Sequence, residues 1–157
     1  MEHDLEYGGF WRRFLASLID GIVISLIYTP IEMVFGTIYY GSFQAYWIFS
    51  QDNQFPYNPY TTWTNLITLV ISAIYYIVMT SSNLQATIGK KILKMKVVND
   101  QGERISKGKA LVRFIGYFIS ALPLFLGYII AAFTRKKRAL HDIIAKTYVM
   151  KTGKQQT

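Results

Sequence analysis

The stretch FLASLIDGIVISLIYTPI, Phe14 to Ile31, decides how this chain is read: it is an apolar run of membrane-spanning length with a carboxylic acid, Asp20, inside it. A carboxylate left uncompensated in hydrocarbon costs on the order of 2.5–3.5 kcal/mol even on the lenient insertion scale, so a partner is expected. Arg13 is the nearest candidate. It lies seven residues earlier, which at about 100° per residue returns to nearly the same helix face, roughly 10 Å away along the axis. Asp20 then has two readings. Either it is a hydrogen-bonded acid that fixes helix packing, or it is a protonatable, cation-binding group on an ion path. A close guanidinium favours the first reading, because a positive neighbour stabilises the charged form.

Working outward, 52% of the 157 residues are hydrophobic and the mean hydropathy is +0.22, more than a soluble core of this size needs. Two runs satisfy the span rule of about 20 mainly apolar residues: Phe10 to roughly Phe35, and the uncharged Thr62 to Met79. A third, Ala110 to Phe133, is interrupted by Pro123. Glu2, Asp4 and Glu6 precede the arginines and the first run exceeds a secretory h-region, so it reads as a retained anchor. Without cysteine there is neither a disulfide nor thiolate chemistry. The net charge of +8 is explained by membrane topology rather than by nucleic acid, which is not an expected partner.

The chain is expected to be one membrane domain over 1–157, with a core at 9–149. Residues 36–60 hold nine aromatics and no lysine or arginine, and read as an extracytoplasmic loop. Residues 81–109 carry seven lysines and arginines against two acids and read as cytoplasmic, as do the N-terminus beside Arg12 and Arg13 and the basic tail 134–157. A single crossing by the third run would put Arg135 to Arg138 outside. Leu111–Leu122 and Leu124–Phe133, either side of Pro123, are short enough to form a re-entrant hairpin instead. Ile92–Val98 has strand-like content, with a turn at 99–102 and a short return at Glu103–Ser106. The tail Thr147–Lys151 also reads as a strand, and pairing it with the Ile92 segment makes a small cytoplasmic sheet; a lone hairpin with a frayed tail is the alternative. The expected fold is all-α in the membrane: two full spans, a Pro-broken third segment (re-entrant hairpin or third span), and this small sheet.

Among residues that carry chemistry, Arg113 is a second counter-ion for Asp20 or for a lipid phosphate. Arg13 competes for that role with simple snorkelling to headgroups. His141 and Asp142, in RKKRALHDIIAKTYVM, fit an amphipathic helix lying on anionic lipid, with the histidine in a local structural pair. Glu32 reads as interfacial. Thr87, Gly89 and Lys90 invite comparison with a phosphate loop, but the leading glycine and the Ser/Thr after the lysine are missing, so nucleotide binding is rejected and Thr87 and Lys90 stay as accessory positions. Asp20 and Asp142 lie too far apart along the fold for an acid dyad. No enzyme motif, metal-ligand cluster or cofactor site is expected, with His3 and His141 the only histidines.

The segments GFWRRFLASLIDG, TIGKKILKMKVVNDQG, Arg113 and RALHDIIAKTYV, in that order from Gly9 to Val149, resemble the RDD family of small bacterial and archaeal membrane proteins. The resemblance makes Arg13 the family's arginine, and Asp20 and Asp142 its two aspartates. Lys146 stands where the family often has glycine, and the aromatic outer loop is particular to this chain. The resemblance implies a multi-pass plasma-membrane protein, usually regarded as a transporter; some members are associated with cation/proton antiport and others with scaffold or accessory roles. The expectation is therefore a small transport-type protein using Asp20 with Arg13 or Arg113, and Asp142 as a cytoplasmic gate or organiser. The alternative is a non-catalytic scaffold or regulatory subunit. Expected partners are the bilayer, anionic headgroups on the basic face, and further copies of the chain or another membrane protein.

Overall fold

The computed structural model describes residues 7–50, 59–121, 130–131, 134 and 137–152. They fall into two units, residues 21–72 and the remainder. Among the described residues, two helices are long and apolar enough to cross a membrane: α1 (Phe10–Tyr40) and, within α3 (Pro59–Ser81), the stretch Thr62–Ser81. Pro30 sits inside α1 without ending it, a tolerance usual for membrane helices. Beyond Asp20, the part of α1 from Gly21 to Tyr40 rises about 30 Å, which is by itself enough for the hydrocarbon core. The length of α1 therefore does not require Asp20 to lie at the centre of the hydrocarbon, where a carboxylate costs most.

In the unit of residues 21–72, the described part of the segment expected as an extracytoplasmic loop, 36–50 and 59–60, is largely helical. α1 continues to Tyr40, and α2 (Phe43–Ser50) follows at once; residues 51–58 lie outside the described residues. Rings explain the order: Tyr40 packs on Tyr46, Phe49 and Tyr60 at 5.3–6.5 Å between centroids, and the Tyr60 hydroxyl donates to the Glu32 carbonyl at 2.9 Å.

The other unit contains the start of α1, the end of α3, α4 (Ile88–Ile92), β1 (Met95–Asn99), α5 (Lys107–Ala121), α6 (Leu140–Ile144) and β2 (Thr147–Lys151). The two strands pair antiparallel, Met95 opposite Lys151 and Asn99 opposite Thr147, as expected for the tail. Tyr7 adds a single bridge to Met150. The core beneath is Ala16, Met95, Val97, Ile105, Ala110 and Val149. Three expectations need correction. The strand starts at Met95 rather than Ile92, because residues 88–92 form α4. Glu103–Ser106 is no return strand: Asn99 Oδ1 accepts the N–H groups of Gln101 and Glu103 at 2.9 and 2.8 Å, closing a turn that leads into α5. The surface-lying amphipathic helix expected within 135–150 is replaced: among the described residues there, only Leu140–Ile144 is helical, His141 and Asp142 are buried in it, and β2 follows. The Pro123 break falls outside the described residues.

This unit is an internal repeat. Each short helix is followed by one residue at its cap, a lysine at positive φ (Lys94, +52°; Lys146, +49°), and then a strand. Gln85 and Lys137, also at positive φ, precede the two helices at the same spacing of 52 residues. Val97 pairs with Val149, its own counterpart, and the pair Met95–Lys151 exchanges with Thr147–Asn99, as a local two-fold relation requires. The start of α1 and α5 correspond too: Arg13–Phe14 with Arg113–Phe114, Ala16 with Gly116, and Asp20 with Ser120. Ala16 abuts Gly89, and Gly116 abuts its counterpart His141. The left-handed backbone at Lys146 is the physical reason a glycine suits that position.

Candidate functional site

Arg13, Asp20, Arg113, His141 and Asp142 gather in this unit but pair differently from expectation. Side chains on a helix lean toward its N-terminus, so Arg13, near the start of α1, points back out of the helix rather than forward to Asp20. Its Nε donates to Gly8 O at 2.8 Å and Nη2 to Lys137 O at 2.5 Å, while Nη1 ion-pairs with Asp142 Oδ2. Arg113 reaches the same acid from α5, its Nη2 standing 2.6 Å from Asp142 Oδ1. Its Nη1 donates to Thr147 Oγ1 and its Nε to Tyr117 Oη, both at 3.2 Å. Asp142 is fully buried and Arg113 nearly so. The Asp20–Arg13 pair is thus replaced by an Arg13–Asp142–Arg113 clamp.

Asp20, also buried, takes neutral donors instead. Oδ1 accepts the Tyr75 hydroxyl at 2.7 Å and the Gly89 N–H at 2.8 Å, and Oδ2 accepts the Thr87 hydroxyl at 2.6 Å. No lysine or arginine pairs with it among the described residues. Gly89 is required by the close approach, since a Cβ there would run into the Ala16 carbonyl oxygen. Sequence reading named Thr87 only as accessory and missed Tyr75 and Tyr117, whose ring packing and hydroxyl contacts join across distant segments. The 52-residue spacing of the two Ile-x-Lys-x-x-Val patterns was a signal that could have aligned Gly89 with His141.

Burial holds the His141 imidazole down to about 3, Arg113, Lys90 and Arg13 adding to the effect and Asp142 opposing it. Burial alone would raise the Asp142 carboxyl, but Arg113 and then Arg13 hold it far below the usual carboxylate range. Both groups make stability fall with acid. His141 is neutral when folded and takes a proton when unfolded, so its contribution is complete above about pH 6.5 and lost between pH 6.5 and 3, on the order of 3–5 kcal/mol. Asp142 contributes fully above about pH 4 and loses it below. Thermal unfolding in micelles should show this slope, and His141→Phe should flatten it between pH 6.5 and 4; an unchanged slope would refute the assignment.

Beside these groups lies a partly open cavity of about 580 Å³. Phe10, Phe14, Tyr76, Phe114 and Phe118 form its apolar wall, and Arg13, Asp20, Lys90, Arg113 and His141 its polar side. Among the described residues no group of three or more His, Cys, Asp or Glu could hold a metal ion.

Two helices of membrane-spanning length, with a buried arginine–aspartate clamp and a second buried acid at one end, define a small membrane protein with a polar centre. The chain belongs to the RDD family, which it matches over residues 7–146. It is similar to the uncharacterized protein YxaI of Bacillus subtilis (strain 168), 41% identical over 145 residues, 90% of this chain and 95% of that one. The uncharacterized membrane protein YteJ of the same organism is 29% identical over 150 residues, 92% of this chain and 80% of its own length. A proline-rich antigen homolog of Mycobacterium tuberculosis (strain ATCC 25618 / H37Rv) is 33% identical over 84 residues, 50% of this chain and 35% of that protein. No solved structure matches the chain significantly.

Proposed function

We propose that this protein is a small multi-pass transport protein of the cell membrane, with both termini cytoplasmic, in which Asp20 takes up and releases a proton or a cation. One observation carries the reading: Asp20 lines the cavity and is oriented by three neutral donors, with no positive partner among the described residues. A carboxylate has about four lone-pair positions, so one on Oδ2 is left for a proton or an ion. Asp142, by contrast, is neutralised twice and serves as the organiser of the fold. The basic stretches 81–109 and 134–157 support the orientation. Leu111, Val112, Ile115, Phe118 and Ile119 turn outward from α5, which supports lipid contact along the third apolar segment as a re-entrant piece. Two spans enclose little interior, so the path is formed between copies of the chain. No catalytic step and no cofactor enter this reading.

Reconstituted in liposomes under an imposed pH gradient with Na⁺ or K⁺, the protein should dissipate the gradient, and Asp20→Asn should abolish the flux. A well-folded Asp20→Asn protein with unaltered flux sinks the proposal. The clamp itself, which ties the chain together across 129 residues, favours a second reading as a non-catalytic scaffold or regulatory subunit. On that reading, crosslinking in native membranes recovers one stoichiometric membrane partner.

A further inference from the structure

The internal repeat places Lys90 of α4 at the position held by Asp142 in α6. Asp142 is met by two guanidiniums. Lys90 is only 7% exposed and has no carboxylate at ion-pair distance among the described residues. Its Nζ lies 3.4 Å from the Tyr117 hydroxyl and 5.9 Å from the centre of that ring. A buried ammonium with such weak compensation is costly unless an anion accompanies it.

The cavity beside it shows which anion fits. Arg13, Lys90 and Arg113 line it together with Asp20, and Asp142 lies behind the two arginines. With His141 uncharged, three cations face two acids, leaving one positive charge in excess. The Arg13–Asp142–Arg113 clamp carries one positive charge by itself, and Asp20 directs its oxygens to Tyr75, Thr87 and Gly89, so Lys90 stands beside the clamp without a carboxylate. Phe14 and Phe118 line the same cavity and are about half exposed, so its apolar wall reaches the outer surface of the protein. A volume of about 580 Å³ is within the range of small-molecule sites. Single negative charge, a polar head and an apolar tail are together the chemistry of a phosphodiester lipid.

We propose that this cavity binds one anionic phospholipid, its phosphodiester at Lys90 beside the Tyr117 hydroxyl and an acyl chain along Phe14 and Phe118. The lipid supplies the negative charge that the second repeat carries in its own sequence as Asp142. The site shares its cavity with Asp20, but its test reads lipid binding rather than flux, so its failure and the failure of ion exchange at Asp20 are told apart.

The test uses the full-length protein in detergent micelles. Thermal unfolding is followed with added dioleoylphosphatidylglycerol, dioleoylphosphatidylcholine or the soluble head analogue glycerol 3-phosphate, and native mass spectrometry counts retained lipid. The wild type should be stabilised by several degrees by phosphatidylglycerol and hold one copy. Lys90→Met should lose that shift, whereas Lys90→Arg and the exposed neighbour variant Lys91→Met should keep it. Lys90→Met should melt no lower than the wild type without lipid, since it removes a buried charge. Equal stabilisation by phosphatidylcholine overturns the proposal, as does equal loss in Lys91→Met. Protection by glycerol 3-phosphate matching that of the lipid assigns the anion to a soluble phosphate and overturns the lipid. Should Lys90→Met fail to fold, the wild type alone decides: failure to retain phosphatidylglycerol preferentially rejects the site.

Discussion

Asp142→Ala is expected to cost about 3–5 kcal/mol of stability, because it strands two guanidiniums in the interior with nothing to neutralise them. Arg113 has 2% of its side chain exposed and Arg13 11%, so water cannot replace the lost carboxylate at Arg113 and replaces it only partly at Arg13. The loss also frees Ala139 N–H, which donates to Asp142 Oδ2 at 3.3 Å, and so loosens the entry to α6. Arg113→Met should cost less, since Arg13 still compensates the acid. The double variant Arg113→Met/Asp142→Ala should lose less than the two single losses added together, because the Arg113 guanidinium that Asp142→Ala strands is absent from it. Thermal unfolding of the four proteins in micelles measures this directly. A loss below about 1 kcal/mol for Asp142→Ala would show that the clamp does not hold the fold.

Gly89→Ala should be almost as damaging, at about 3 kcal/mol or more, although it adds one methyl group. The new Cβ would meet backbone, the Ala16 carbonyl oxygen, and lie 3.1 Å from Asp20 Cγ. Backbone cannot rotate aside as a side chain does, so α4 must move from α1 and the Gly89 N–H bond to Asp20 at 2.8 Å is lost. The matched control is Gly21→Ala in the same helix as Asp20, where a Cβ meets nothing within 4 Å. That change should stabilise by about 0.5–1 kcal/mol through helix propensity. Equal melting temperatures for the two variants would refute the close packing of α4 on α1.

Several features were legible before any coordinates. Apolar length announced both membrane-length helices, and charge asymmetry marked which connections are basic. Pairing of Thr147–Lys151 with the segment after Ile92 followed from two lone strands each needing a partner. The site residues Arg13, Asp20, Arg113 and Asp142 stood out because each is an ionisable group within or beside an apolar run. Their partners did not. Spacing along one helix suggested Arg13 for Asp20, yet the lean of helical side chains sends Arg13 the other way, to an acid 129 residues distant. The expected amphipathic helix through His141 failed for the same reason: a polar residue reads as solvent-facing until its buried counter-charge is known.

Composition and periodicity alone thus determine that the chain belongs in a membrane, where its helices lie, and which residues carry charge into apolar surroundings, since solvation depends on local sequence. Only the tertiary structure decides which charge meets which. Partners such as Tyr75, Thr87 and Gly89 for Asp20, the two arginines for Asp142, and Tyr117 for the ammonium of Lys90 arise from a two-fold packing of separate segments, and the energy of a buried charge depends on neighbours that chain order does not specify.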